Sequence, residues 1–164
     1  MKIGRRVFIA QTAVLTGDIE IGDDSSIWFN SVIRADLNKI KIGEKTNIQD
    51  NCVIHVDEEH PCRIGDKVTA GHSAVIHGAR IGSSVIIGIG AVVLDGAEIG
   101  DYTLIGAGSV VTGKKYPENS LILGVPGKVV RELTQKEIDL IEERWMDYYL
   151  LKDRYLSGGF GTLK

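Results

Sequence analysis

Three features of this 164-residue sequence predict an all-β solenoid, a left-handed parallel β-helix with a C-terminal α-helix packed along it. Aliphatic residues recur every six positions, glycine follows many of them, and a small or modest side chain stands four residues after many. A period of six matches neither an α-helix nor a simple alternating strand, and it is one signature of stacked parallel coils.

The aliphatic series runs Leu15, Ile21, Ile27, Ile33, then Ile42, Ile48, Ile54, then Ile64, Ala70, Ile76. It continues through Ile81, Ile87, Val93, Ile99, Ile105 and Val111. Three hexapeptides make a triangular coil of about 18 residues that rises by about 4.8 Å per turn. Each aliphatic points into the prism, and small residues such as Ser25, Ser31, Thr46 and Cys52 fit near the corners. The glycines of Ile21-Gly22, Ile42-Gly43 and Ile64-Gly65 are expected to supply turn dihedrals. No coil buries its own core, so stability comes from stacking. The phase slips three times, with nine residues from Ile33 to Ile42, ten from Ile54 to Ile64 and five from Ile76 to Ile81. Each slip follows a third hexapeptide, so three irregular loops are expected at one corner of successive coils.

Beyond the repeat, Tyr116-Pro117 and Gly124-Val125-Pro126-Gly127 break the pattern. Thr134-Gln135-Lys136-Glu137 reads as a capping box, and Leu133 with Ile138 as its hydrophobic staple. An apolar stripe follows at Ile138, Ile141, Trp145, Tyr148, Tyr149, Leu151, Tyr155 and Leu156. The expected organisation is a β-helix domain over 1–133, an α-helix over 134–156 and a flexible Gly-rich tail over 157–164.

Composition narrows the partners. Twenty glycines against three prolines suit regularly placed turns, and a net charge of −3 gives no basic footprint for nucleic acid. No segment approaches the roughly 18 apolar residues of a membrane span, and the N-terminal stretch lacks a convincing cleavage site. A cytoplasmic protein is expected. Cys52 and Cys62 form no Cys-x-x-Cys motif and are too few for a disulfide framework.

The register places three of the four histidines. His55 follows Ile54 and His77 follows Ile76, so they occupy equivalent sites in consecutive coils, about 5 Å apart at the backbone. Two imidazoles so stacked suit one metal ion. Arg34 takes the same site one coil earlier. His72 follows Ala70 by two residues and lies around a corner, too far to share that ion within one chain. A neighbouring copy could supply its own His72, and a closed ring repeats the contact three times. Asp50 falls one coil beneath His72, with Gln49 beside it. His60 reads as surface, and Cys52 as a structural inward residue.

These residues resemble the γ-class carbonic anhydrase family of hexapeptide-repeat proteins. The likeness rests on Ile27-Trp28-Phe29-Asn30, Arg34-Ala35-Asp36, Asn47-Ile48-Gln49-Asp50-Asn51, Ile54-His55, Gly71-His72 and Ile76-His77-Gly78. It implies a homotrimer with a metal at each interface, held by His55 and His77 of one chain and His72 of the next. Zn2+ is the implied metal, with Fe2+ or Co2+ suited to the same nitrogens. CO2 and bicarbonate are the implied substrate and product. Gln49 resembles the glutamine that orients hydroxide or bicarbonate, and Arg34, Asp36 and Asp50 resemble the interface ion-pair and supporting set. Asn47 matches a nearby family asparagine, and Tyr149 is a candidate to face the site from the C-terminal helix. Leu37 stands where some members carry glutamate, and the loop holding Asp57, Glu58, Glu59 and His60 is short, so the proton carrier is left open. Two other functions are weighed: acyl transfer or thioester hydrolysis, and a catalytically weak metal-binding scaffold.

Overall fold

The computed structural model describes residues 1–160. It is a left-handed parallel β-solenoid of about seven turns with a single C-terminal helix, as the six-residue period predicts. The last four positions of the expected tail, 161–164, lie outside the described residues. No helix among the described residues is long and apolar enough to cross a membrane.

The prism has three faces, each a ladder of parallel strands, one of them closed by an antiparallel strand, Lys128–Glu132. Its interior is a column of isoleucines, among them Ile27, Ile33, Ile42, Ile48, Ile54, Ile87 and Ile105, all fully buried. Ile33, Ile54 and Ile76 stand in direct register, as do Ile42, Ile64 and Ile81. The small inward residues do more than fit the corners. The Ser31 hydroxyl donates to the Gln49 carbonyl at 2.6 Å, Ser25 to Gly43 at 2.7 Å and Thr46 to Gly65 at 2.8 Å. Buried hydroxyls thus find partners in the next coil, which removes the cost of leaving them unsatisfied.

What the faces show outward differs. The first presents valine in register at Val14, Val32, Val53, Val75, Val92 and Val110. The second is lined by Phe8, Ser26, Asn47, Thr69, Ile86, Leu104 and Leu121. Helix α1, Gln135–Leu156, covers it. The third carries the charged column Lys2, Glu20, Lys41, Arg63, Arg80, Glu98 and Lys115.

Two expectations are corrected. The first phase slip is not a loop: Val32–Ile42 is one continuous strand that rounds the corner paired with Val14–Ile21. An irregularity between Gly17 and Ile19 takes up the extra length, and Gly17 has φ +93°. Glycines after the aliphatics serve close approach rather than turn dihedrals. A Cβ on Gly22 would lie 2.6–2.8 Å from backbone atoms of Gly43 and Glu44. The left-handed positions fall two residues later, on Asp24, Lys45, Lys67, Ser84 and Tyr102.

Helix α1 runs back toward the N-terminal coils. Leu133, Ile141 and Leu121 form a small buried cluster against which Ile138 packs. At the N-terminus Glu137 Oε2 accepts from both the backbone N–H and the hydroxyl of Thr134 at 2.8 Å. Arg131 grips the same carboxylate with two nitrogens at 2.8 and 2.9 Å. At the other end Lys152, read as polar by any hydropathy pattern, is completely buried. Its ammonium donates to Asp153 at 2.7 Å and Asp24 at 3.2 Å, and lies 4.4 Å from the Tyr149 ring centre. Arg6 reaches the same two carboxylates.

Replacing Gly22 by alanine forces backbone against backbone and is expected to destabilise the protein by roughly 1–3 kcal/mol. The drop would be read from the denaturant midpoint at unchanged slope. Arg131, with the Thr134 bonds, depresses the Glu137 pKa from 4.5 to about 2. The contact therefore stabilises the fold above pH 4.5 and is lost as pH falls toward 2. In Glu137→Gln that part of the acid dependence of thermal unfolding should flatten.

Candidate metal centre

The corner between the valine face and the charged face carries the stacked pair. Register places Arg34, His55 and His77 one above another. The imidazoles of His55 and His77 point at each other, with Nδ1 of the first 2.9 Å from Nε2 of the second. Two nitrogens bound tetrahedrally to zinc at 2.0–2.1 Å stand about 3.3 Å apart. A few tenths of an ångström of ring movement converts this contact into a shared-ligand geometry.

The far nitrogen of each ring is held by a carboxylate. Asp36 Oδ1 meets His55 Nε2 at 3.0 Å, and Asp95 Oδ1 meets His77 Nδ1 in a very short contact. His72, on the corner between the valine face and the helix-covered face, has Asp50 Oδ2 at 2.9 Å from Nδ1. Each imidazole therefore has one nitrogen fixed by an aspartate and one left over, the arrangement that orients and polarises histidine metal ligands. Arg34 hydrogen-bonds the other Asp36 oxygen, and this contact first, then His55, holds the Asp36 carboxyl below its usual pKa. The donor set fits a divalent ion.

One chain does not bring the three histidines together. Among the described residues, the one trio of His, Cys, Asp or Glu donors within 4.8 Å of one another is Asp57, His60 and Asp95. Asp57 folds its own loop, accepting from the backbone N–H groups of Glu59 and His60 and from the His60 ring. That trio adjoins His77 through Asp95.

His72 opens onto a groove between the coils and helix α1, shared with Gln49, Ile89, Arg144 and Tyr148. Gln49 is almost fully buried, and its amide donates to Asn47 Oδ1 at 3.1 Å. Asn47 in turn donates to Thr69 Oγ1 at 2.9 Å. Asn47 thus fixes the rotamer of Gln49 through a chain of buried amides. Tyr149 turns away, packing against Trp145 and Lys152. Its neighbour Tyr148 lines the groove, with its ring edge-on to Trp28 and its pKa raised by burial. Burial likewise pushes the Cys52 and Cys62 thiols up to about 12, which makes both inert at neutral pH.

Sequence reading misses Asp95, Tyr148 and Arg144. The signal for Asp95 is present in the register: Val93 stacks on Ile76, so Leu94 follows above His77 and Asp95 comes one step later. The choice between Tyr148 and Tyr149 turns on one residue, about 100° of helix rotation, which the stripe does not resolve.

A family model described as bacterial transferase hexapeptide, six repeats, matches residues 1–35 and 78–113. A protein of Methanocaldococcus jannaschii described as a "probable carbonic anhydrase" is 55% identical, covering 92% of this chain and 96% of that one. The mitochondrial gamma carbonic anhydrase 2 of Arabidopsis thaliana is 39% identical over 94% of this chain and 58% of its own. Among solved structures, a hexapeptide transferase family protein of Anaplasma phagocytophilum superimposes with a TM-score of 0.90 at 36% identity, covering 94% of this chain and 92% of that one.

Asp95→Asn should leave the circular dichroism spectrum unchanged and weaken divalent-metal affinity about 10–100-fold. Competition with a calibrated chelator would measure it.

Proposed function

This chain belongs to the γ-class carbonic anhydrase family of hexapeptide-repeat proteins, and on that premise we propose that it interconverts CO2 and bicarbonate at metal sites shared between the subunits of a homotrimer. The observation that carries the reading is the carboxylate on each of three imidazoles, divided between the two corners that bound the valine face.

That face supports the trimer. Its valine column is partly exposed, and Ile89 and Leu94 extend the apolar surface at its margins. A continuous exposed apolar patch marks an interaction site. One margin bears His72 and the other bears His55 and His77. A three-fold axis facing the valine surfaces brings one copy's His72 margin against the next copy's stacked pair, and the ring closes. Three neutral imidazoles leave an open coordination position, as a catalytic site requires.

Zn2+ is the proposed metal, with Fe2+ or Co2+ acceptable to the same donors. Such an ion, when bound, supplies a Lewis acid that brings water to a pKa of about 7, a value already established for carbonic anhydrase itself. The other roles fall to protein groups. Asp36, Asp50 and Asp95 fix ring tautomers. Arg34 holds Asp36. Gln49, locked by Asn47, offers an oriented amide to the reacting oxygen or to bicarbonate. Tyr148 narrows the groove and limits water there. Any of these side chains displaced by an ångström would lose the near-attack arrangement.

Acyl transfer is the second reading, because the Anaplasma neighbour bears a transferase title. A general-base mechanism needs one histidine with a free nitrogen at a cleft. It gives no reason for stacking His55 on His77 or for anchoring three rings with aspartates.

His72→Ala and His77→Ala should each lose CO2 hydration in stopped-flow assays by at least about 10²-fold and each lose bound metal. Trimers assembled from a mixture of the two variants should regain both, since some interfaces then carry a complete ligand set. Val75→Asp should yield metal-free monomers by light scattering. Full metal content in His72→Ala, or an active monomer, would refute the shared site.

A further inference from the structure

The charged face carries a feature that CO2 hydration does not use. Opposite charges meet along most of its column. Glu20 takes Lys39 at 3.1 Å and Lys41 at 3.5 Å, and Glu98 takes Lys115 at 3.2 Å. In the middle Arg63 and Arg80 are direct register partners, one strand spacing apart. Like charges directly opposite on a sheet repel. Among the described residues neither guanidinium makes an ion pair or a side-chain hydrogen bond.

Beside this unpaired doublet lies a cavity of about 130 Å³, lined by Arg63, Arg80, His60, Glu59 and Glu98 over a glycine floor. We infer that this cavity binds a small planar oxyanion that retains one proton, with bicarbonate as its type. The cavity adjoins the metal centre through His60 and Gly78 but uses none of the three candidate ligands, and it does not depend on the proposed reaction.

Guanidinium groups present planar forks of donors that match two oxygens of such an ion, and charge-assisted bonds of this kind are the strong ones. His60 adds a further polar group. Asp57 occupies its Nδ1 at 3.0 Å, and Nε2 is left beside Gly96. A Cβ at Gly78 would fall 2.7 Å from the His60 Cβ, so glycine at that position is what lets the ring settle over the floor. The hydrogen bond to Asp57 also raises the His60 pKa.

The two carboxylates decide which anion fits. Lys115 neutralises Glu98, and Glu59 has no cation partner among the described residues. A carboxylate accepts a hydrogen bond from a ligand hydroxyl and repels a bare oxygen. Bicarbonate offers two oxygens to the arginines and one O–H to a carboxylate. Nitrate has the shape but no proton, and phosphate near pH 8 is a bulkier dianion.

The test uses 13C-labelled bicarbonate followed by carbon NMR, with His72→Ala as the background so that the metal centre is out of play. That variant should bind one bicarbonate per chain. Adding Arg63→Gln and Arg80→Gln, both at exposed positions, should weaken binding at least about tenfold. Nitrate and phosphate should compete at least about tenfold less well. Absent binding in His72→Ala, or affinity indifferent to the two arginine changes, overturns the site. Phosphate competing as well as bicarbonate overturns the proton requirement. Hydration activity is measured separately on the wild type, so its loss with bicarbonate still bound would count against the catalytic reading alone.

Discussion

The in-register stacking of one coil on the next is the constraint on which everything else depends. Parallel strands in this prism pair residue for residue, Val53 with Val75, Ile54 with Ile76 and His55 with His77. Because side chains alternate between inside and outside, a slip of one residue would put isoleucine in water and histidine in the core. The buried isoleucine column forbids that slip. The same hydrophobic term that stabilises the fold therefore sets the separation of the two stacked imidazoles.

Register also explains why three chemically different faces coexist on one repetitive scaffold. The interior is nearly uniform, so outward positions are free to carry valine, a docked helix or a column of charge. Helix α1 protects one face and is pinned at both ends. Glu137 with Arg131 secures its start, and the buried Lys152 with Asp24 and Asp153 secures its end. The pinned end lies on the N-terminal coil and holds Tyr155 against Phe8 and Trp28. Tyr148, one helical turn before Lys152, is thereby held over the His72 groove.

Much of this is legible in the sequence, and the boundary between what is and is not has a physical basis. The period of six yields the solenoid, and its phase yields the vertical pairing of His55 with His77 and of Asp50 with His72. Those are statements about backbone register, which hydrophobic pattern controls. Glycine misleads because composition signals a missing side chain without saying whether dihedral freedom or space is needed. Gly22 needs space, while Asp24 and Lys45 adopt the left-handed dihedrals. Val32–Ile42 imitates a loop because a continuous strand with an irregular partner breaks phase just as a loop does. Lys152 escapes notice because its burial depends on packing against Asp24, far away in sequence. Asp95 requires following the register one coil past the last histidine.

The corner beside His55 and His77 absorbs connections of different length, a continuous strand in one coil, the 56–61 loop in the next and the two residues Gly78 and Ala79 in the third. The rungs on either side keep their pairing regardless. Chain length at this corner is thus decoupled from the position of the stacked histidines, so segments can be spliced in or trimmed there to reshape the approach to the two imidazoles while the rings themselves stay where they are.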